Sequence, residues 1–138
     1  MKKIILILLC VIFILCSFSC EKNTSINTSE NSSEAVYHKI SAEEAKKMMD
    51  STQNYILLDV RTESEYKDKH IDGAILIPDY EIKDRAESEL PDKNAVIFVY
   101  CRSGNRSRSA ANALVNMGYT NIYDIGGIID WPYDTVSG

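Results

Sequence analysis

The chain has 138 residues, close to the ~150 residues of one typical domain, and this length excludes multidomain machinery and repeat arrays. Its hydrophobic and charged fractions, 45% and 25%, are ordinary for a globular protein and exclude a wholly disordered or collagen-like chain. The 15 Lys and Arg residues against 20 Asp and Glu give a net charge of −5, so nucleic acid is not an expected partner.

The N-terminal segment predicts export from the cytoplasm. Residues 1–3 form a short positive start that contains Lys2 and Lys3, and residues 4–18 form an almost uninterrupted apolar run. A helix that crosses a bilayer needs ~20 apolar residues, so this shorter run favours a signal peptide over residues 1–19 rather than a permanent transmembrane helix. Residues 20–36 begin with Cys20 and continue as a polar stretch rich in Asn, Ser and Thr, which predicts a disordered tether.

The residues around the predicted cleavage site are Ser17, Phe18, Ser19 and Cys20. They resemble the lipobox of bacterial lipoproteins, a family in which the cysteine is diacylated and becomes the new N-terminus. The resemblance implies a protein anchored to a membrane of the bacterial cell envelope through lipid on Cys20. Ser19 fits the pattern, whereas Ser17 stands where that family usually has Leu. The alternative is an ordinary secretory signal that leaves a soluble periplasmic or secreted protein.

Helix and strand patterns alternate along residues 37–138. Ser41 and Glu44 have the spacing of a capping box, which predicts a helix through about Met49. Residues 55–60 form a continuous apolar run interrupted only by Asp59, a pattern typical of a strand buried on both faces.

The remaining elements predicted along the chain are a short strand at residues 74–77, a helix at 80–90, a buried strand at 95–100, a helix at 107–117 and a last short strand at 121–125. Apolar residues that recur three or four positions apart indicate the two helices, and Gly118 supplies the C-cap of the second. Strands alternating with helices indicate an α/β fold with a small, mostly parallel sheet that carries helices on both faces.

Counting the cysteines leaves one thiol in the predicted domain. Of the four cysteines, Cys10, Cys16 and Cys20 lie in or at the end of the apolar N-terminal run, so residues 37–138 contain only Cys101. No disulfide can form within this domain. A lone cysteine in a protein bound for an oxidising compartment is either a buried small hydrophobic residue or a reactive group.

The loop after the strand at residues 95–100 favours the reactive alternative. It begins with Cys101 and precedes a helix, which is where open α/β sheets place their ligands. Such a loop directs several backbone N–H groups and the positive end of the helix dipole at one point. A free thiol of pKa ~8.5 is only about 3% ionised at pH 7, so a nucleophilic Cys101 needs these groups to stabilise its thiolate. Arg102 and Arg106 are candidates to bind an anionic substrate.

Several short motifs occur in a fixed order along residues 40–131. They are Leu58-Asp59-Val60-Arg61, Glu65-Tyr66, His70-Ile71-Asp72-Gly73-Ala74 with Pro78, the loop from Cys101 to Ser107, and Gly126-Gly127 with Trp131. Their order and spacing resemble a single-domain rhodanese, a sulfurtransferase.

This resemblance implies a reaction and a site. In that family the loop cysteine attacks the outer sulfur of thiosulfate, releases sulfite and holds a persulfide, which is passed to cyanide or a thiol. By resemblance Cys101 is the sulfur carrier, and no metal or organic cofactor is required. The residues expected to bind the small anionic sulfur donor are Arg102, Ser103, Gly104, Asn105 and Arg106.

Other polar residues have structural interpretations. Asp59 and Arg61 flank a strand end and predict a buried ion pair that organises nearby loops. His38 and His70 lie far apart without neighbouring Cys or His ligands, so no metal site is predicted. The resemblance gives His70 a structural hydrogen bond.

Two alternatives to a sulfurtransferase remain. Phosphatases that resemble rhodaneses have one residue more between their cysteine and arginine, whereas four residues lie between Cys101 and Arg106, so a phosphatase or an arsenate reductase is the less favoured. A non-catalytic persulfide carrier or a sulfide-sensing module also fits the same residues.

Overall fold

A computed structural model describes residues 36–138. The predictions for residues 1–19, for Cys20 and for nearly all of the tether lie outside the described residues. Within residues 36–138, none of the helices has the length and the apolar character needed to cross a bilayer.

The core of the fold is one five-stranded sheet in the order β1-β5-β4-β2-β3. The strands are β1 (His38–Lys39), β2 (Ile56–Asp59), β3 (Ile75–Leu76), β4 (Val96–Cys101) and β5 (Asn121–Gly127). All four pairings between these strands are parallel. The predicted α/β class with a mostly parallel sheet is therefore confirmed.

Helices connect the strands. They are α1 (Ala42–Ser51), α2 (Glu63–Asp68), α3 (Ile82–Glu89) and α4 (Asn105–Asn116), with 3₁₀ turns at Asp79–Glu81 and Ile128–Asp130. The predicted capping box of α1 is present, because the Glu44 amide donates to the Ser41 hydroxyl and the Glu44 carboxylate accepts from the Ser41 amide. These two hydrogen bonds satisfy two backbone N–H groups that have no acceptor within the helix, because they lie at its N-terminus.

The two faces of the sheet carry separate hydrophobic clusters, because neighbouring residues of a strand point to opposite faces. On one face, Leu58 lies in a cluster with Ile82 of α3 and Leu114 of α4. On the other face, Leu57 lies in a cluster with Ala45 of α1. Helices therefore cover both faces, as the sequence predicts.

The structure differs from the sequence predictions at several elements. β5 ends at Gly127, two residues beyond its predicted end, and the helix predicted at residues 80–90 is a 3₁₀ turn followed by α3. α4 begins at Asn105, two residues earlier than predicted, because Gly104 turns the chain with a φ of 94°. α2 and β1 were not predicted. α2 has six residues without a buried side chain, and both residues of β1 are exposed, so neither segment has an apolar pattern.

Candidate active site

Cys101 is the last residue of the central strand β4, and its side chain is 1% exposed. It belongs to the hydrophobic cluster on the α4 side of the sheet, yet its sulfur accepts a hydrogen bond from the Gly104 amide at 3.1 Å. The loop that makes this contact is packed tightly against β5. A Cβ built on Gly127 would lie 2.4 Å from the Arg102 carbonyl oxygen, so this approach requires glycine.

The surroundings of the sulfur lower the pKa of the Cys101 thiol below its ordinary value. Burial is the largest single influence and raises the pKa, because a buried thiolate is poorly solvated. Hydrogen bonds from the backbone and hydroxyl of Ser107 and from the amides of Gly104 and Ser103 lower it and together outweigh burial. The site therefore favours the nucleophilic form of the cysteine.

Arg106 is engaged by a carboxylate that the sequence analysis did not assign to it. Its Nη1 and Nη2 atoms each lie 2.8 Å from an oxygen of Glu65, so the ion pair is bidentate. The hydrogen bond from Arg106 is the largest influence on Glu65 and lowers the pKa of this carboxyl to about 2, against the opposing effect of burial. Arg106 also interacts electrostatically with Cys101. The positive charge of Arg106 thus acts on the sulfur, while both of its Nη atoms are already hydrogen-bonded to Glu65.

The other predicted donor-binding residues lie around the same loop. Arg102 is exposed and lines a cleft of about 360 Å³ together with Arg61, Glu65 and Ile128. Ser103 and Asn105 are also exposed, and Asn105 is the first residue of α4.

Ser107 is a residue of the loop and helix around Cys101 that was not among the predicted site residues. It is the third residue of α4, and its side chain is fully buried. The N–H groups in the first turn of a helix have no partner within the helix, so this position is a source of free donors. That position is the signal by which Ser107 could have been found.

Asp59 and Arg61 form the predicted buried ion pair. Arg61 Nε lies 3.0 Å from Asp59 Oδ1, and Arg61 Nη2 lies 2.6 Å from Asp59 Oδ2. The same Nη2 donates to the Lys69 carbonyl at 2.6 Å, and the guanidinium lies 5.6 Å from the centre of the Tyr100 ring. The pair therefore ties the end of β2 to the end of α2, beside the loop that carries Cys101.

The histidines take no part in this cluster. His70 Nδ1 lies 2.8 Å from the Tyr66 carbonyl oxygen, and the two rings stack with centroids 3.8 Å apart. Among residues 36–138, no three His, Cys, Asp or Glu side chains lie close enough together to hold a metal ion.

Residues 41–132 match the sequence model of the rhodanese-like domain. The chain belongs to the rhodanese-like domain family. The thiosulfate sulfurtransferase PspE of Escherichia coli is 41% identical over 81 residues, which cover 59% of this chain and 78% of that protein. A sulfurtransferase of Allochromatium vinosum is 35% identical over 95 residues, 68% of this chain and 87% of that protein. The putative sulfur carrier protein YrkF of Bacillus subtilis is 37% identical over 110 residues, 79% of this chain and 57% of that protein.

Solved structures agree with this assignment. A structure described as rhodanese with anions from E. coli has a TM-score of 0.58 and 39% sequence identity, and the match covers 61% of this chain and 99% of that one. A rhodanese-like domain protein from Staphylococcus aureus has a TM-score of 0.65 and 26% identity, with 73% and 98% covered. The rhodanese-like fold expected from the sequence motifs is therefore confirmed.

The Asp59–Arg61 pair makes a prediction about stability. Asp59→Ala leaves the buried Arg61 without its counter-ion and should lower the free energy of unfolding by about 3–5 kcal/mol. The matched control is Glu63→Ala, which breaks an exposed pair with Lys67 and should cost less than about 1 kcal/mol. Urea denaturation of both variants measures the difference. Similar small losses in both would mean that the buried pair does not hold these loops together.

The left-handed conformation of Gly104 leads to a second prediction, about the pKa of the Cys101 thiol, for which Gly118 is the control. Both have a positive φ, 94° and 92°, and a Cβ on either meets only ordinary contacts, so Gly104→Ala and Gly118→Ala should each cost about 1–2 kcal/mol of backbone strain. Only Gly104→Ala disturbs the amide that binds the sulfur, so only this variant should raise the pKa of the Cys101 thiol. The pH dependence of Cys101 alkylation measures this, and equal midpoints in the two variants would contradict it.

Proposed function

We propose that the protein is a sulfurtransferase that moves sulfane sulfur from an anionic donor such as thiosulfate to a thiophilic acceptor through a persulfide on Cys101. The observation that carries this proposal is the hydrogen-bonded sulfur of Cys101, which is held at the end of β4 by the amides that begin α4. The names of the relatives from E. coli and A. vinosum support the same class of reaction.

The first half-reaction forms the persulfide. The Cys101 thiolate attacks the outer sulfur of thiosulfate, so that a new S–S bond forms at Cys101. The bond between the two sulfur atoms of thiosulfate breaks, and sulfite leaves with its electron pair. The persulfide retains one negative charge, so charge is balanced without a proton transfer, and this step requires neither a general base nor a cofactor.

The donor is a dianion, and the loop meets it with positive charge. Arg102 is exposed and lines the cleft of about 360 Å³, and it is our candidate to contact the sulfonate oxygens together with the exposed Ser103 and Asn105. Arg106 contributes its charge while Glu65 holds its guanidinium in position. Preorganised charges of this kind lower the cost of bringing two anions together.

The second half-reaction regenerates the enzyme. Cyanide or an acceptor thiolate attacks the terminal sulfur of the persulfide, the S–S bond at Cys101 breaks, and Cys101 leaves as a thiolate. A thiol of lowered pKa is a better leaving group. The groups that ionise Cys101 for the first step therefore also assist the second.

The experiment is thiocyanate release from thiosulfate and cyanide, combined with peptide mass spectrometry after thiosulfate alone. We expect turnover, a gain of one sulfur atom on Cys101, and a loss of at least ~1,000-fold in Cys101→Ser, because the nucleophile is removed. Ser109→Ala, on the exposed side of α4, is the control and should keep full activity. Folded protein that neither turns over nor gains sulfur would refute the proposal.

A second candidate function is that of a non-catalytic persulfide carrier or sulfide-sensing module, which the name of the B. subtilis relative favours. The same experiment separates the two, since a carrier gains sulfur on Cys101 but releases no thiocyanate. Hydrolysis of an aryl phosphate, which tests the phosphatase alternative, is expected to be nil. The four residues between Cys101 and Arg106 make a tighter loop than phosphatases of this kind have.

We further propose that the protein is exported and anchored to a membrane of the cell envelope by lipid on Cys20, behind the signal peptide of residues 1–19. The support is the sequence pattern alone. Two acyl chains anchor stably, so wild-type protein should sediment with membranes and carry lipid mass on Cys20. Cys20→Ser should be soluble, whereas Cys16→Ser, inside the apolar run, should behave as wild type. Soluble wild-type protein without lipid would favour the secreted alternative.

A further inference from the structure

The cleft lined by Arg102 has two walls, and both are held to the segments around Cys101. One wall is the second 3₁₀ turn, where the Ile129 amide donates to the Arg102 carbonyl at 3.3 Å. The other wall is the end of α2, where the Lys69 carbonyl accepts from Arg61 at 2.6 Å. Because Arg102 directly follows Cys101, the cleft borders the loop that carries the reactive sulfur.

The cleft has room for a larger molecule than thiosulfate. Its volume of about 360 Å³ falls within the ~300–1,000 Å³ that is usual for sites of small organic molecules. Thiosulfate is a small inorganic ion, and in the proposed reaction its sulfite leaves before the acceptor enters. The cleft is therefore free for the acceptor in the second half-reaction.

The charges that are free at the cleft are mostly positive. Arg61 and Glu65 also line it, but each is engaged in an ion pair of the site. Within residues 36–138, three exposed charged residues of the cleft form no ion pair, namely Asp68, Lys69 and Arg102. Two cations against one carboxylate favour an anionic ligand. Arg102 is our candidate for the donor, whereas the steps proposed above give Lys69 no role.

Ile129 adds an apolar surface to the same cleft. Its side chain is 63% exposed, whereas the neighbouring Ile128 is buried in the hydrophobic cluster on the α1 side of the sheet. The turn that carries Ile129 is hydrogen-bonded to the Arg102 carbonyl, so its position relative to the loop is defined. A ligand that fits this cleft has an apolar segment for Ile129 and an anionic group for Lys69.

We propose that the cleft binds the sulfur acceptor, a small thiol with a carboxylate on an apolar chain, and that Lys69 selects this acceptor by pairing with its carboxylate. The inference rests on the proposed function and adds to it the chemical class of the acceptor. The acceptor thiolate attacks the outer sulfur of the Cys101 persulfide, and the S–S bond at Cys101 breaks. The acceptor leaves as a persulfide anion and Cys101 as a thiolate, so atoms and charge balance without an oxidant or a reductant.

The test is a single-turnover transfer in the full chain. Cys101 is loaded with thiosulfate, excess donor is removed, and loss of the extra sulfur to an added thiol is followed by peptide mass spectrometry. The probes are 3-mercaptopropionate, which is anionic, 2-mercaptoethanol, which is neutral, and cysteamine, which is cationic. Dividing the rate of each variant by the wild-type rate for the same thiol removes differences in intrinsic reactivity.

Lys69→Gln removes the cation and leaves the backbone contact with Arg61 in place. Its rate with 3-mercaptopropionate should fall about threefold to fivefold, the effect of one partly exposed ion pair, while its rate with 2-mercaptoethanol stays the same. Asp68→Asn removes the opposing charge, so it should raise the rate with 3-mercaptopropionate and lower the rate with cysteamine. Equal effects on all three thiols would overturn the inference.

Lys83→Gln is the matched control. Lys83 is an exposed lysine of α3 that lies outside the cleft and forms no ion pair within residues 36–138, and its loss changes the net charge by the same amount. At ~0.15 M salt, where charges are screened beyond ~8 Å, its rates should equal those of wild type. A fall with 3-mercaptopropionate as large as that of Lys69→Gln would trace the effect to net charge and contradict the selection by Lys69.

The contribution of Ile129 is tested by the chain length of the acceptor. Wild type should pass sulfur to 6-mercaptohexanoate at least about threefold faster than to 3-mercaptopropionate, because the longer chain covers Ile129. Ile129→Ser should abolish this preference, whereas Val36→Ser, which changes a side chain that is 65% exposed outside the cleft, should keep it. A wild-type protein without the preference would show that the cleft does not bind such an acceptor.

The loading step separates this inference from the proposed function. Folded protein that gains no sulfur on Cys101 refutes the proposed function and this inference with it. Normal loading and normal transfer to cyanide, with thiol preferences that ignore Lys69, would refute this inference alone. Slower loading by thiosulfate in Lys69→Gln would make Lys69 a donor-binding residue, and would also overturn its assignment to the acceptor.

Discussion

The Cys101 sulfur, buried at the end of a parallel strand beside donors that favour its thiolate, is the constraint on which the rest of this structure depends. Cys101 is 1% exposed and lies within a hydrophobic cluster, where an anion is poorly tolerated. The amides at the beginning of α4 offset that cost, and they point at the sulfur because Gly104 adopts a left-handed conformation. The left-handed glycine and the position of the helix therefore both favour the thiolate form of Cys101.

The strand order supplies the supports for this loop. β4 lies between β2 and β5, so the segments that follow all three strands meet at the same edge of the sheet. The segment after β2 contributes the Asp59–Arg61 pair, which reaches the Lys69 carbonyl. From the other side, β5 contributes Asp124 and the close approach of Gly127 to the loop. A parallel sheet thus assembles the site from residues distant in sequence.

Local signals explain which parts of the site could be predicted from the sequence. The loop that begins at Cys101 follows an uninterrupted apolar strand and contains Gly104, so the sequence predicts both the position of the loop and its turn. Glu65 lies 41 residues from Arg106, and no local pattern links them. Glu65 lies on α2, which has a capping box at Thr62 but no buried side chain. The helix therefore has no apolar periodicity from which it could be predicted.

The partner of Arg106 is set by the tertiary structure and not by any local sequence pattern. The sequence predicts that Arg106 binds an anionic substrate, whereas in the structure its guanidinium pairs with the Glu65 carboxylate. The pKa of Glu65 is about 2, so the pair stays ionised at any physiological pH. Both Nη atoms of Arg106 are bound by Glu65, and the groups that lower the pKa of the Cys101 thiol most are the hydrogen-bond donors at the beginning of α4. An unpaired arginine would stabilise an anionic sulfur more strongly, and in the proposed reaction a persulfide held too tightly would be slow to pass its sulfur on.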